Sequence, residues 1–547
     1  MTYLAVPVFG DSIEDVRRDI TTAVDLGADL IELRLDRMPD VSDEDLRRLA
    51  EKPAADVPMI LTLRSVAEGG DCEASDEERI DRLADLGPLF DYIDLEFTTW
   101  LSEHDLRRRL RRALVRAEKA WPKEGQAARR PAPKCRLILS KHDFTGRPDT
   151  LMRDQCDLLG THECSVPKLA WRARTIRDNF EAFEWMQSWN LMSLPDRDIS
   201  GGIAICMGPE GLLSRVLAKR FGAFAAFASL RPGLESAPGQ ITVTELKQCY
   251  RWDAINEDTT VYGVIGDPVD HSLSPRVHNA AFEEAGTNAV YLPLKVTASY
   301  EAFTAFMVQV MTDGSAYFRG FSVTIPHKEH AVTFIERVGG TIDKTAARVG
   351  AVNTITFDGD VDFERDLGFH GYNTDYQAVI DTLESGLGRS ASQFSDLTVS
   401  VLGAGGIARS VVAALTDRGA SVTIFNRTDS RAVALADEFG CRQRPWDRRG
   451  EGSPDLIVNC TPVGMGPETD ASPLDETRLK PGQTVFDTIY NPLQTKLLRA
   501  AEERGARVID GLTLFAHQAR AQFRIWTGID LPVAFFRSQA QLGLAAM

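Results

Sequence analysis

Along roughly the first 250 residues, short apolar runs alternate with longer amphipathic stretches. The runs are LAVPVF (4–9), LIELRLD (30–36), MILTLRS (59–65), YIDLEF (92–97), CRLILSKHDF (135–144), VPKLAW (166–171), GGIAICMG (201–208) and FAAFASL (224–230). Between them, DSIEDVRRDITTAVDLG (11–27) and SDEERIDRLADLGPLF (75–90) carry apolar residues at three- and four-residue spacing and acids near their starts. Both features signal helices. Eight strand–helix alternations in this length predict an α/β fold of the closed (β/α)8 TIM-barrel kind, with an open doubly wound sheet as the alternative.

The pattern changes near KQCYRWDAINEDTT (247–260), whose run Asn256 to Thr260 reads as a linker. Downstream, LTVSVLGAGGIARSVVAALTDRG (397–419) reads as strand, glycine turn and helix, and ASVTIFNRT (420–428) as the next strand. That context predicts a Rossmann dinucleotide turn through Gly403, Ala404, Gly405, Gly406, Ile407 and Ala408. Gly403 permits the tight turn, Gly405 the approach of a pyrophosphate, and Ala408 stands where a third glycine is usual. An NAD site ends the second strand in Asp or Glu. This chain has Asn426, Arg427 and Thr428, and the guanidinium favours a 2′-phosphate, hence NADP(H).

In a barrel, the C-terminal strand ends meet at one mouth. Those ends carry Glu32, Arg34, Arg64 with Glu68 just beyond, His142 and Lys168. Arg215 follows the seventh strand, and Ser236 and Gln240 the eighth. Each alone is as readily a solvated rim residue; together on one face they point to a site. Lys168, flanked by apolar residues and near arginines, would be pushed toward the neutral amine that forms a Schiff base. His142 suits proton transfer, and Arg64 and Arg215 suit a carboxylate. In the second half, FSVTIPHK (321–328), GAVNTI (350–355) and GYNTD (371–375) supply Lys328, Asn353 and Asp375. A lysine–carboxylate pair can anchor a hydroxyl or ketone and relay its proton.

Charge narrows the partners. A net charge of −17, from 62 basic and 79 acidic residues, argues against non-specific nucleic-acid binding. No apolar run approaches the ~18 residues that cross a membrane. The first residues lack the form of a secretory signal, so a cytoplasmic protein is expected. Eight scattered cysteines read as reduced thiols. His162 and Cys164 lack a matching second pair at ligand spacing, so no metal is expected.

Over residues 1–250, ELRLD, LRSVAEGG, SKHDF, VPKLA, GLLSR and SAPGQ resemble the type I 3-dehydroquinate dehydratases. The resemblance implies an imine between Lys168 and the substrate ketone. His142 would remove the adjacent proton and assist loss of hydroxyl as water, with Glu68 orienting it. Glu32, Arg34, Arg64, Arg215, Ser236 and Gln240 would hold the substrate. Over residues 258–547, SLSP, VTIPHK, GAVNT, GYNTD, GAGG, NRT, NCTPVGM, DTIYNP and FAHQA resemble the shikimate dehydrogenases. That likeness implies that Ser272 and Ser274 bind a carboxylate and that Thr324, Asn353, Asp375 and Gln518 fix ring hydroxyls, with Tyr490 close by. Lys328, paired with Asp375, would be the acid/base or orienting residue, and Thr461, Met465 and Gly511 would line the nicotinamide.

The expected organisation is a barrel over 1–252, a substrate lobe over 258–375 completed by C-terminal helices from about 513 to 547, and an NADP lobe over 376–512. The implied reactions are consecutive: 3-dehydroquinate to 3-dehydroshikimate, then NADPH reduction to shikimate. Two alternatives stay open, a second half preferring quinate and a regulatory protein built from inactive copies of these folds. Ser272 and Ser274 favour shikimate, and the presence of Lys168, His142, Lys328 and Asp375 favours an enzyme.

Overall fold

A computed structural model describes residues 2–102, 104–120, 135–161, 163–191, 201–314, 317–357 and 368–546. The chain divides into two compact units, Met1–Thr259 and Thr260–Met547.

The first unit is an eight-stranded parallel sheet curled into a nearly closed barrel. Its strands are β1 (Tyr3–Val8), β2 (Leu30–Arg34), β3 (Met59–Thr62), β4 (Tyr92–Glu96), β5 (Arg136–Asp143), β6 (Val166–Arg172), β7 (Ile203–Met207) and β8 (Ala225–Phe227). From β1 to β7 each pairs with its sequence neighbour, and β8 returns to β1. At the β7–β8 seam, the Phe224 N–H donates to Gly202 O at 2.8 Å. The eight strands fall on the eight apolar runs, and the barrel expectation is met.

The runs are continuous rather than alternating because a barrel strand is covered on both faces. Alternate residues point inward, and the first inward layer is apolar: Ala5, Leu30, Ile60, Tyr92, Ile138, Val166 and Ile203 share one buried cluster. One pleat further along, the inward positions turn polar, which places the chemistry at the C-terminal end. Polar caps start the outer helices. Ser12, Ser42, Ser75 and Thr242 each accept a hydrogen bond from a backbone N–H in the first turn, worth about 1 kcal/mol apiece.

The second unit holds two sheets. The first is mixed, in the order β10-β9-β11-β13-β14-β12. It comprises β9 (Thr260–Gly266), β10 (Ala289–Lys295), β11 (Phe318–Val323), β12 (Thr341–Ile342), β13 (Thr354–Phe357) and β14 (Phe369–Tyr372). The second is wholly parallel, in the order β17-β16-β15-β18-β19-β20. Its strands are β15 (Thr398–Leu402), β16 (Ser421–Asn426), β17 (Arg442–Pro445), β18 (Leu456–Asn459), β19 (Thr484–Asp487) and β20 (Arg507–Ile509). Strand order reverses between β15 and β18, the switch point where a doubly wound sheet binds dinucleotides.

The helix Gly511–Thr527 follows the parallel sheet in sequence but shares a core with the mixed one. Leu512, Phe515, Ala519 and Phe523 pack with Tyr262, Val277, Phe282 and Tyr291. The last helix, Val533–Ala545, adds Phe536 and Ala540 to that core. Among the described residues, no helix is long and apolar enough to cross a membrane.

One glycine ties the barrel fold to its mouth. After β3 the chain doubles back so that Gly70 N–H donates to Ser65 O at 2.8 Å. A Cβ at Gly70 would lie 2.2 Å from the Arg64 carbonyl oxygen. Gly70→Ala is therefore expected to destabilise the barrel by about 1–3 kcal/mol through overpacking. Chemical denaturation followed by tryptophan fluorescence reads this, and an unchanged midpoint would contradict it.

Candidate active sites

The polar layer of the barrel is built on one carboxylate. Asp94 is buried on β4. Its Oδ2 accepts from Lys168 Nζ at 2.8 Å, and its Oδ1 accepts from Arg64 Nη2 at 2.7 Å and from Ser140 Oγ at 2.5 Å. Burial alone would push this carboxyl up, but the Arg64 and Lys168 charges outweigh it and hold it far below the usual range. Lys168 also faces Glu32 at 3.8 Å, and its ammonium lies 4.5 Å from the centre of the Phe227 ring. Glu32 accepts from Thr62 Oγ1 at 2.9 Å. The sequence pattern sets arginines beside Lys168; the structure adds Asp94 and brings Glu32 within 3.8 Å, so two carboxylates face the amine.

Asp94 is hidden in the sequence because YIDLEF reads first as an apolar run. The signal is nonetheless present: acids at 94 and 96 alternate with Ile93 and Leu95, so both face inward. Glu96 is paired with buried Arg79, which neutralises it.

His142 ends β5 beside Lys168. Its backbone N–H and its Nδ1 both contact Glu68 Oε2, at 3.1 and 3.0 Å. Burial, reinforced by the Arg64 and Lys168 charges, drives the imidazole well below its ordinary value. The neutral ring then donates from Nδ1 to Glu68 and leaves the Nε2 lone pair available as a base. Burial also raises the Glu68 carboxyl, to about 7, against the opposing pull of Arg64.

These groups line one pocket with about 500 Å³ of empty space, its open mouth included. Glu32, Arg34, Arg64, Glu68, His142, Lys168, Arg215, Ser236 and Gln240 all reach it. Arg34 is pinned by Asp36 at 2.7 Å. Arg215 differs: it is buried, bonds only the Pro238 carbonyl at 3.2 Å, and pairs with no carboxylate among the described residues. Desolvation lowers it to about 10. An anionic ligand would relieve that uncompensated charge.

In the second unit, Lys328 starts its helix and donates to Asp375 Oδ2. Asp375 Oδ1 is buried and has no hydrogen-bond partner among the described residues. Asn353 is fully buried and spends its amide locally. Its Oδ1 accepts from Thr374 N at 2.8 Å, and its Nδ2 donates to Thr374 Oγ1 at 2.9 Å. It thereby anchors the helix that presents Asp375. Ser272 Oγ accepts from Ser274 N at 3.2 Å at the start of the helix Ser274–Glu284. Thr324 is half-buried beyond β11, with its methyl group against Gly266. The Tyr490 ring lies tilted against Phe515, with centres 5.2 Å apart, and Gln518 lies half-buried on the helix Gly511–Thr527.

The glycine turn lies between β15 and its helix. Gly403 has φ +113°, and Ala408 is buried beneath. A Cβ at Gly405 would meet open space, while one at Gly406 would lie 2.9 Å from Lys328 Cδ. The turn thus offers an open cradle on one side and packs against Lys328 on the other. Ala404 and Ile407 are half-buried against the core of the parallel sheet. Asn426 Nδ2 donates to Thr428 O at 2.9 Å, leaving Arg427 and Thr428 exposed at the end of β16. Thr461 Oγ1 donates to Asn459 Oδ1 at 2.7 Å, Met465 is exposed, and Gly511 packs on the Ile489 carbonyl. Among the described residues, no group of three His, Cys, Asp or Glu side chains could hold a metal; His162 lies outside them.

The opposed shifts at His142 and Glu68 give a test. The unfolded imidazole binds a proton near 6.5 and the folded one does not, so barrel stability from this group is lost as pH falls through that value. Folded Glu68 holds its proton to about 7 rather than 4.5, so its contribution is lost as pH rises across that interval. Nitrogen NMR should find His142 neutral near 6.5, with Nε2 unprotonated. A half-charged ring there would contradict the geometry.

The family model for type I 3-dehydroquinase matches residues 4–257. That for the shikimate dehydrogenase substrate-binding domain matches 264–355, shikimate/quinate 5-dehydrogenase 387–447, and the shikimate 5′-dehydrogenase C-terminal domain 511–541. The chloroplastic bifunctional 3-dehydroquinate dehydratase/shikimate dehydrogenase of Arabidopsis thaliana is 34% identical over 545 residues, 97% of this chain and 82% of that protein. The shikimate dehydrogenase (NADP(+)) of Methanosarcina mazei is 38% identical over 301 residues, 52% of this chain and 99% of its own. A solved shikimate 5-dehydrogenase from Thermus thermophilus, in complex with NADP(H) and shikimate, is 34% identical, with 52% of this chain and 100% of that one covered and a TM-score of 0.45. With both kinds of family model following one another along the sequence, and a two-activity relative aligned over nearly all of it, the chain belongs to the family of bifunctional 3-dehydroquinate dehydratase/shikimate dehydrogenases.

Proposed function

We propose that the barrel dehydrates 3-dehydroquinate through a Lys168 Schiff base and that the second unit reduces the product, 3-dehydroshikimate, to shikimate with NADPH. The observation that carries the first half is the buried Lys168 in one pocket with His142, whose imidazole is held by burial well below its ordinary value. The amine attacks the ketone carbon, and water leaves as the imine forms. His142 Nε2 takes the proton from the adjacent carbon, and the electrons shift into the imine. The resulting imidazolium returns its proton to the departing hydroxyl, which leaves as water. Hydrolysis of the imine frees Lys168. Arg215 and Arg64 hold the carboxylate, Glu68 fixes the His142 tautomer, and Glu32, Arg34, Ser236 and Gln240 hold the ring.

In the second unit, Ser272 and Ser274 take the carboxylate, while Thr324, Asn353, Tyr490 and Gln518 border the ring. Lys328 and Asp375 bind the reacting oxygen, with Asp375 Oδ1 free to accept from a hydroxyl. NADPH bound at the glycine turn supplies the hydride. The open space at Gly405, the helix N-terminus at Gly406 and the exposed Arg427 fit its diphosphate and 2′-phosphate, with Thr461, Met465 and Gly511 on the nicotinamide side. The ligands are small molecules, and nucleic acid and membrane play no part. The eight cysteines are free thiols, which supports a cytoplasmic setting.

Borohydride added with dehydroquinate should leave a stable adduct on Lys168, found by mass mapping. Lys168→Ala should abolish trapping and dehydration together, and His142→Ala should slow dehydration about 10²–10⁴-fold. Trapping elsewhere would defeat the scheme. Arg427→Ala should raise the KM for NADP about tenfold or more, as loss of a charged hydrogen bond does, and leave that for NAD unchanged. An equal change for both cofactors would remove Arg427 from the 2′-phosphate.

A further inference from the structure

Beneath the proposed shikimate pocket runs a line of buried polar side chains outside the roles assigned above. Tyr291 on β10, Ser322 on β11, Thr354 on β13 and Gln522 on the helix Gly511–Thr527 are each at most 3% exposed. Gln522 Nε2 donates to the Asn353 carbonyl and to Thr354 Oγ1, both at 3.0 Å. Its Oε1 accepts from Ser322 Oγ at 2.9 Å, and Ser322 Oγ accepts from the Tyr291 hydroxyl at 2.6 Å. Thr354 Oγ1 donates in turn to Asn353 Oδ1 at 2.9 Å, the atom that also receives Thr374 N–H.

The direction of this line is fixed. A backbone carbonyl only accepts, so the Gln522 atom facing Asn353 O must be the nitrogen. Oε1 then faces Ser322, which must donate its single proton there. Tyr291 must therefore donate to Ser322, leaving its oxygen as an acceptor toward Ser274, whose hydroxyl is its other side-chain partner. The His278 ring stacks on Tyr291 at 4.6 Å and fixes its plane. Apolar residues of the same shape would fill this space without the risk of an unsatisfied polar group.

We propose that Tyr291, Ser322 and Gln522 are positioning residues: a one-directional hydrogen-bonded chain that sets the spacing between Ser274, at the carboxylate end of the pocket, and the Asn353–Thr374 anchor of Asp375, at the reacting end. The proposal rests on the substrate roles given above to Ser274 and Asp375. The chain joins residues of three strands and one helix, so a shift at either end is felt at the other.

The test is steady-state oxidation of shikimate by the full-length protein. Tyr291→Phe and Thr354→Val each remove one link, on strands that do not pair with each other. Each should raise the shikimate KM about two- to tenfold, the effect of one buried neutral hydrogen bond. The KM for NADP and the dehydration rate should hold. The double variant should fall short of the product of the two effects, because both links belong to one chain: Tyr291→Phe frees its Ser274 end, and Thr354→Val leaves Gln522 held at the other end by the Asn353 carbonyl alone. Ser322→Ala should behave as Tyr291→Phe does, and Ser322→Thr, which keeps the hydroxyl, should restore the original KM. Multiplying effects, or an equal rise in the KM for NADP, overturn the proposal. Should Ser274→Ala and Asp375→Asn leave shikimate oxidation intact, the site reading fails and takes the chain with it. If those two impair turnover while the chain variants do not, only the chain is refuted.

Discussion

The barrel depends on the compensation of one buried carboxylate. Asp94 sits in the interior among Arg64, Lys168 and Ser140. An isolated ion there would cost several kcal/mol, and only the two cationic partners together with Ser140 offset it. The same contacts that satisfy Asp94 aim the amine and the guanidinium at the pocket. Charge neutrality below the mouth and geometry at the mouth are therefore one requirement. It is met by alternate residues of three neighbouring strands, β4, β5 and β6, together with Arg64 at the end of β3.

The second unit meets the same constraint mostly with neutral groups. Asn353, Thr354, Thr374, Ser322 and Gln522 are buried and close their hydrogen bonds on one another. The charged pair Lys328–Asp375 stands at the edge of that network, with one carboxylate oxygen left over. Lys328 also packs on Gly406, so the Lys328–Asp375 pair and the glycine turn are held by one contact. A residue larger than glycine at 406 would separate them.

A third element is the helix Gly511–Thr527, which begins against the Ile489 backbone beside the parallel sheet and buries its apolar face in the other lobe. Gln522 carries it into the polar network, and Gln518 lies one turn earlier. One helix so joins the edge of the parallel sheet to the core of the mixed one.

What the sequence determined by itself was periodic or chemically singular. Eight apolar runs set the barrel strands, because a strand covered on both faces must be apolar throughout. The glycine turn at 403–408 announced the Rossmann switch point, because Gly403 takes a positive φ and Gly406 leaves no room for a side chain beside Lys328. Lys168 and His142 were conspicuous because titratable groups interrupt buried strands. Tertiary structure alone decided the partners: Asp94 beside Lys168, Arg215 without a carboxylate among the described residues, and Ser322 bonded to Gln522 from 200 residues away. Period-two patterning says which way a side chain points. Which charge or hydroxyl meets it depends on register, barrel closure and a late helix folding back, and those are fixed only when the whole chain has packed.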